Sequence, residues 1–233
     1  MLLAGDTHGD LPHVAYLLRT AAEQGCARIV QLGDFGFWPH VEPFHEHVSA
    51  AARSAAITWF WLDGNHENFD VLEQTVDMDA TEPQQMDDSL WYLARGATWE
   101  WDGCRFLALG GAPSIDKAYR TEGDTWWPQE LLTEEQVARS QHRGPIDVLL
   151  THDAPEGVCP IVGPSYKGDA LSRHHRQLIS AVTEAVTPKL LAHGHYHHRY
   201  SGSFGLTRVE GLGRDSQAEQ SWMVLDTSDW AGA

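Results

Sequence analysis

Carboxylate, amide and imidazole side chains recur directly after five short apolar runs of the sequence. Asp6 and His8 follow the run at residues 2–5, and Asp34 follows the run at residues 28–33. A single such residue is commonly a turn residue or a helix cap, but five occurrences indicate one shared site. The runs at 57–62, 146–151 and 189–192 precede Asp63, Asn65, His66 and Glu67, then His152 and Asp153, then His193, His195, His197 and His198.

The donor atoms of these side chains are those that bind hard or borderline divalent metals. Carboxylate, imidazole and amide oxygen without thiolate suit Mn, Fe, Zn, Ni or Mg rather than copper(I) or an iron–sulfur cluster. About seven such groups exceed what one tetrahedral site uses, so the pattern favours two metals that share a carboxylate. Cys26, Cys104 and Cys159 form no CxxC pair, which argues against a cysteine-ligated zinc site and a disulfide framework.

The elements that must position this site alternate between strands and helices, which predicts an α/β layered fold. Because ligands bind at the carboxyl ends of strands in open α/β sheets, the five polar strand ends should converge on one crevice. Apolar spacing predicts helices over residues 12–24 and 169–186, and Thr133 to Gln136 is typical of a capping box. Further strands are expected over residues 90–94, 98–101, 105–109, 199–203, 206–209 and 222–225.

Length and charge narrow the class of protein. The chain has 233 residues without a repeat or a linker, which favours one domain over 1–233. Its formal charge of −17 opposes binding to long nucleic acid or an anionic membrane, unless a local positive centre compensates. The sequence lacks the roughly 18–20 apolar residues of a membrane span. It also lacks a leader-like N-terminus, so a cytoplasmic location is expected.

Five motifs, in order, resemble the signature blocks of the calcineurin-like metallophosphoesterases. The resemblance implies a four-layer α-β-β-α sandwich with a dinuclear metal centre at one edge, most simply two Mn ions, with Fe, Zn, Ni or Mg as alternatives. The motifs are Asp6-x-His8, Gly33-Asp34, Gly64-Asn65-His66-Glu67, His152 and Gly194-His195-x-His197.

Carried over by position, the resemblance assigns a role to eight residues. It implies that Asp34 bridges the two metals and that His66 lies over the substrate phosphate as the general acid. Metal-activated hydroxide would then attack phosphorus. The first metal would be held by Asp6, His8 and His197, and the second by Asn65, His152 and His195. Asp63, Glu67 and His193 could orient these ligands, or could equally be ordinary turn residues.

Departures from the family pattern bear on the substrate. Related phosphoprotein phosphatases and dinucleoside polyphosphate hydrolases have Val-Asp-Arg-Gly after the Gly-Asp block and an arginine before Gly-Asn-His-Glu. Here Asp34 is followed by the sequence FGFW, and Asp63 precedes Gly64. A diester carries one negative charge and needs less clamping than a monoester dianion. We therefore favour a phosphodiesterase acting on small diesters, such as cyclic or other nucleotide diesters.

Residues 110–130 form a long irregular segment that could cover the site as a lid. It could also deliver the arginine that the motifs lack. Candidate substrate contacts are Phe37, Trp38, Tyr119, Arg120 and Trp126, although each aromatic ring could instead close the core. The basic stretch 173–176 is expected to be a solvated helix face.

Three other functions stay open at this point. A phosphomonoesterase could act on nucleotides or phosphoproteins, and a nuclease is possible although the charge disfavours it. A non-catalytic interaction module could use the same fold, but a scaffold would be expected to lose metal ligands. The sequence leaves the oligomeric state and the role of Cys159 open.

Overall fold

Two six-stranded mixed sheets form the centre of the molecule in the computed structural model, which describes residues 1–38, 43–161, 170–228 and 230. Sheet 1 has the chain-numbered strands β1 (Leu2–Ala4), β2 (Arg28–Leu32), β3 (Thr58–Leu62), β4 (Gln84–Asp87), β5 (Leu90–Tyr92) and β12 (Trp222–Val224). Sheet 2 has β6 (Thr98–Trp101), β7 (Cys104–Leu109), β8 (Val148–Thr151), β9 (Leu190–His193), β10 (Tyr200–Phe204) and β11 (Thr207–Gly211).

The central strands of each sheet run parallel, and antiparallel strands close the edges. Sheet 1 has the order β12-β1-β2-β3-β5-β4, and sheet 2 has the order β10-β11-β9-β8-β7-β6. Strands β1, β2 and β3 are parallel neighbours, as are β8 and β9. These five strands are the apolar runs that precede the predicted site residues, so within each sheet their carboxyl ends lie at one edge.

Within the described residues, five α-helices cover the outer faces of the sheets. Thr133 caps the fourth helix with a full capping box, as predicted, because its side chain accepts from Gln136 N while the Gln136 side chain accepts from Thr133 N. Asp10 and Asn68 cap the first and third helices through their side chains. The helices are α1 (Leu11–Glu23), α2 (Phe44–Ser54), α3 (Phe69–Thr75), α4 (Glu134–Gln141) and α5 (Ala170–Val186).

Three apolar clusters separate four layers. The middle cluster lies between the sheets, where Leu3 and Val30 from sheet 1 pack with Phe106 and Leu150 from sheet 2. A second cluster joins sheet 1 to α1, α2 and α3, and a third joins sheet 2 to α4 and α5. The four-layer α-β-β-α fold is thereby confirmed. No helix within the described ranges is both long and apolar enough to cross a bilayer.

The predicted elements differ from the observed ones mainly at their ends. Most strands shift by one or two residues, and α2, α3 and β4 were not predicted. Asp169, the predicted first residue of the long helix, lies outside the described residues. The prediction that residues 173–176 form a solvated face is wrong for two of them, because His175 and Arg176 are buried. They face inward to meet Asp153 and Glu156.

Candidate metal centre

Two groups of potential metal-binding atoms meet on Asp34, at the carboxyl end of β2. The atoms within each group lie within 4.8 Å of one another, and Asp34 belongs to both groups. This is the arrangement expected of a carboxylate that bridges two ions. The first group consists of Asp6, His8, Asp34 and His197, and the second of Asp34, His152 and His195.

Asn65 joins the second group through its side-chain oxygen. Its Oδ1 lies 3.2 Å from His152 Nε2, and its backbone N–H donates to Asp34 Oδ1 at 2.8 Å. The backbone N–H of His66 donates to the same carboxylate oxygen at 2.8 Å. The fold therefore brings all seven predicted ligands and His66 to one edge of the sandwich. Their roles in binding metal stay predictions.

The backbone at the site is locally strained. Four predicted ligands, His8, Asp34, His195 and His197, have positive φ angles between 43° and 65°, where non-glycine residues are uncommon. Such strain persists only where the surrounding structure holds it, and it is frequent at functional sites. Gly64 matters because a Cβ there would collide with the Asp34 carboxylate. The absence of a side chain at Gly64 lets the Asp34 carboxylate approach the backbone closely.

The carboxylates of Asp6 and Asp34 raise the pKa values of two nearby imidazoles. Burial opposes a charge on His8, but the hydrogen bond to Asp34 and the charges of Asp6 and Asp34 outweigh it and raise its pKa to about 9. Burial is likewise outweighed by Asp34 and Asp6 at His152, whose pKa rises to about 10. In the absence of metal, protons on these imidazoles therefore compensate the carboxylates.

Two other imidazoles have lowered pKa values. Burial, followed by the positive charge on His152, lowers the pKa of His195 to about 4. Burial lowers the pKa of His66, and Arg120 and His8 lower it further although Asp34 opposes them. His195 therefore presents a free lone pair at neutral pH, as a metal ligand must.

The residues fit a pair of divalent cations by their chemistry and placement. The donors are imidazole nitrogens and carboxylate and amide oxygens, which suit Mn, Fe, Zn, Ni or Mg. Two divalent ions would bring four positive charges against the two carboxylates of Asp6 and Asp34. The result is a local cationic centre in a chain whose formal charge is −17.

The three predicted orienting residues differ in what they contact. Glu67 accepts backbone N–H bonds from Phe35 and Phe37 at 2.7 and 2.8 Å, so it holds the turn that follows Asp34. Asp63 instead pairs with buried Arg95, whose Nε and Nη2 lie 2.9 and 2.6 Å from Asp63 Oδ2. His193 contacts the hydroxyl of Tyr200 at 2.6 Å. Of these three residues, Glu67 bonds most directly to the metal-site loops.

Other residues support the site without belonging to any motif. Asp215 Oδ1 lies 3.4 Å from His8 Nδ1, and it reaches the site from a short 3₁₀ helix late in the chain. Asp153 accepts from Tyr196 OH at 2.7 Å and contacts His175 Nδ1 at 2.7 Å, which links the His195 loop to α5. In the sequence, only its position next to His152 indicated that Asp153 lies near the site.

An open cavity of about 280 Å³ leads to the centre. It is lined by predicted ligands and His66 together with Ile115, Asp116, Ile161 and Tyr196. Ile115 is 63% exposed and Ile161 is 42% exposed, so both can contact a ligand. The volume suits a small molecule.

Arg120 reaches the site from the segment 110–130. Its Nη2 lies 2.7 Å from Nε2 of His66, and its Nε lies 2.8 Å from Asp116 Oδ1. The segment therefore brings an arginine to His66, and contact of Arg120 with substrate stays a prediction. Residues 110–114, Trp126, Trp127 and Glu130 are buried, whereas residues 115–119 and 121–125 are exposed.

The structure corrects two predicted substrate contacts. Phe37 is 1% exposed and packs against Trp61 in the core, because Glu67 binds its N–H and the turn directs its ring inward. Trp126 is also buried, with Lys117 Nζ 3.7 Å from the centre of its ring. Neither ring is free to stack on a base.

The other two aromatic candidates are placed differently. Trp38 is partly buried, and its indole N–H donates to the His66 carbonyl at 2.9 Å, so it braces His66. Tyr119 is 93% exposed and is not among the described residues that line the cavity. Its contact with substrate stays a prediction. Cys159 is buried beside Ala154 and Tyr196.

Several solved structures share this fold at low sequence identity. A protein from Thermus thermophilus is 13% identical, with 93% of this chain and 89% of that chain covered and a TM-score of 0.59. A dimetal phosphatase from Danio rerio is 10% identical, with coverages of 92% and 88% and a TM-score of 0.55. GAP50, the anchor in the inner membrane complex of Plasmodium, is 11% identical, with coverages of 93% and 72% and a TM-score of 0.50.

These likenesses show the fold alone, and no curated protein matches the chain significantly. The family model of calcineurin-like phosphoesterases, in contrast, matches residues 1–199. The match includes every predicted ligand, and it implies a metal-dependent phosphoester hydrolase. The chain belongs to the calcineurin-like phosphoesterase family.

Proposed function

We propose that this protein is a metal-dependent phosphodiesterase that hydrolyses small phosphodiesters, with cyclic and other nucleotide diesters as the first candidates. The observation that carries the proposal is the convergence of both donor groups on Asp34 beside a cavity of about 280 Å³. Two divalent ions bound there, Mn in the first instance, would activate water and neutralise phosphoryl oxygens.

The charges around the cavity favour a diester. Arg120 is the arginine that contacts His66, and Asp116 offsets part of its charge. None of the described residues that line the cavity is a lysine or an arginine, so apart from the metals a substrate would meet little positive charge there, which suits the single charge of a diester. Ile115 and Ile161 offer exposed aliphatic surface to the two ester substituents, whereas a monoester has only one.

His66 and Arg120 would act together on the bound substrate. A phosphoryl oxygen would take the place of His66 as hydrogen-bond partner of Arg120, which leaves His66 free to face the leaving group. The reaction forms a bond from the oxygen of water to phosphorus and breaks the bond to the leaving alkoxide. The protonated form of His66 would supply the proton that the alkoxide requires, and the proton that the attacking water releases would restore it. The products are an alcohol and a phosphomonoester.

A phosphomonoesterase is the second candidate, because Arg120 also provides a guanidinium that could bind a dianion. The same assay separates the two. Mn(II) is added to metal-free protein, and an aryl phosphodiester, the matching monoester, a cyclic nucleotide and a nucleic-acid strand are offered in parallel. We expect faster turnover of the small diesters.

Each other outcome has a defined meaning. A strong preference for the monoester reverses the substrate assignment, and a preference for the nucleic-acid strand indicates a nuclease. Absence of turnover with every substrate and every divalent metal supports the interaction module and overturns the enzyme proposal. Asp34→Ala serves as the matched control for contaminating activity.

A further inference from the structure

Segment 110–130 is connected to a predicted metal ligand by a short chain of buried hydrogen bonds. Asn65 Nδ2 donates to Ser114 Oγ at 3.1 Å. Ser114 Oγ donates to Glu130 Oε2 at 2.6 Å, and the backbone N–H of Ser114 donates to Glu130 Oε1 at 2.7 Å. The three residues are at most 5% exposed, so bulk water does not compete for these bonds.

The order of donors and acceptors along this chain follows from the carboxylate at its end. Carboxylate oxygens only accept, so the Ser114 hydroxyl must donate its single hydrogen to Glu130. The hydroxyl oxygen then has only lone pairs left, and it can bond Asn65 only by accepting. The nitrogen of the Asn65 amide must therefore face Ser114.

An amide whose nitrogen faces one way presents its oxygen the other way. Asn65 Oδ1 accordingly points to the second donor group, 3.2 Å from His152 Nε2. The oxygen is the atom of a neutral amide that binds a divalent cation, whereas the NH₂ end repels one. A flipped Asn65 would therefore remove a ligand and place two N–H bonds against the metal.

We infer that Ser114 and Glu130 are positioning residues that set the orientation of the Asn65 amide for the second metal. The inference rests on the proposed function, because it requires Asn65 to be a ligand. It also gives segment 110–130 a second role. Ser114 and Glu130 would brace the metal site, while Ile115 and Asp116 line the cavity.

Glu130→Gln tests the inference because it reverses the order of donors and acceptors in these hydrogen bonds. One side-chain oxygen still accepts from the Ser114 N–H, which places the new NH₂ group against the Ser114 hydroxyl. That hydroxyl then has its hydrogen free to donate to Asn65, and this favours the flipped amide. We expect the dissociation constant of the second Mn(II) ion to rise about 10- to 100-fold, while that of the first changes little.

Two substitutions at Ser114 give graded controls. Ser114→Ala removes the partner of Asn65 without reversing any donor, so we expect a smaller rise in the same dissociation constant. Ser114→Thr keeps the hydroxyl and should retain near wild-type binding. Both constants are measured by electron paramagnetic resonance of free Mn(II) during titration of metal-free protein, which requires no turnover.

The chain offers a matched control pair elsewhere. Glu210 accepts from the Ser201 hydroxyl at 2.8 and 2.9 Å, across β10 and β11. Glu210→Gln and Ser201→Ala make the same chemical changes, and we expect both to bind two ions as the wild type does. Thermal melts of each variant show which remain folded, and the Ser114 variants carry the test if Glu130→Gln does not fold.

The outcomes separate the inference from the proposed function. If the wild type binds two ions and Glu130→Gln binds both with unchanged constants, the inference is overturned and the proposed function stands. Equal weakening in Glu210→Gln also overturns the inference. If the wild type binds fewer than two ions under every condition, the dinuclear site itself is wrong, and the inference falls with it.

Discussion

The guanidinium of Arg120 lies against the imidazole of His66, with its Nη2 2.7 Å from Nε2 and 3.1 Å from Nδ1. Asp116 Oδ1 lies 2.8 Å from Nε of the same guanidinium, so an ion pair holds Arg120 beside His66. The motifs that carry the metal ligands lack an arginine, and the structure supplies one from a segment about 50 residues further along the chain.

Arg120→Ala should weaken substrate binding and leave the metals in place. Loss of a hydrogen bond to a charged group costs about 1.5–3 kcal/mol, so kcat/KM for a diester should fall about 10- to 150-fold. The loss should be larger for a dianionic monoester. Arg139→Ala is the control, because Arg139 pairs with Asp79 on the surface. An unchanged kcat/KM in Arg120→Ala would contradict contact with the substrate.

His66→Ala should slow hydrolysis without releasing metal. Removal of a general acid typically costs about 10²- to 10⁴-fold, and the loss should be greatest for alkyl leaving groups, which need a proton most. Rates are compared for alkyl and aryl diesters, and metal content is measured by elemental analysis. His142→Ala, at an exposed position, is the control. Loss of metal from His66→Ala would show that His66 is a ligand instead.

Asp34→Ala should abolish the dinuclear centre. Both donor groups include Asp34, so its removal takes a ligand from each metal at once. We expect fewer than two ions per chain by elemental analysis after dialysis against Mn(II). Asp147→Ala changes a carboxylate that pairs with Lys189 just before β8, and it should keep two ions. Two ions retained in Asp34→Ala would contradict a bridging role.

Metal binding should release protons at neutral pH. The pKa values of His8 and His152 are raised to about 9 and about 10, so both imidazoles carry a proton at pH 7 that a metal must displace. His195, with a pKa of about 4, contributes none. We expect these two imidazoles to release about two protons at pH 7, and their contribution should fall towards zero above pH 10. Water activated by the metals would add to the total.

Affinity for metal should therefore rise with pH up to that range. Calorimetric titration with Mn(II) in two buffers of different ionisation enthalpy measures the number of protons released. A value of zero at pH 7 would mean that the protons are not on these imidazoles.

Arg95→Leu should destabilise the protein strongly. Arg95 and Asp63 form a buried ion pair, and Tyr92 OH also donates to Asp63 at 2.7 Å. Removing one partner leaves a buried charge uncompensated, which costs about 3–5 kcal/mol in the free energy of unfolding. Urea denaturation of the metal-free protein measures this loss.

A surface pair provides the comparison for that measurement. Arg53 pairs with exposed Asp88, and exposed pairs contribute about 0–1 kcal/mol. Arg53→Leu should therefore shift the free energy of unfolding by no more than about that amount. Equal losses in the two variants would indicate that the Asp63–Arg95 pair acts no differently from a surface pair.

The fold class and the place of the site could be predicted from the sequence because both depend on local patterns. Apolar runs of four to six residues followed by Asp, Asn or His mark strands and their carboxyl ends without reference to distant residues. Asp6, Asp34 and His152 were therefore placed at the correct sheet edge. The family resemblance then supplied roles that spacing alone left open.

Some local predictions failed where side-chain direction depends on a distant partner. Phe37 and His175 have ordinary sequence contexts, yet Glu67 and Asp153 turn them into the interior. Helices α2 and α3 were also missed. Their short apolar faces are stabilised mainly by packing on sheet 1.

The sequence by itself determined the metal-binding chemistry, since the donor types and their positions after strands are written in consecutive residues. Only the tertiary structure decided how those donors are oriented and which residues from distant parts of the sequence contact the site. The bonds from Asn65 to Ser114 and on to Glu130 join residues 49 and 16 positions apart, and Arg120 meets His66 across 54. Such pairings arise from chain folding, and no periodicity in the sequence encodes them.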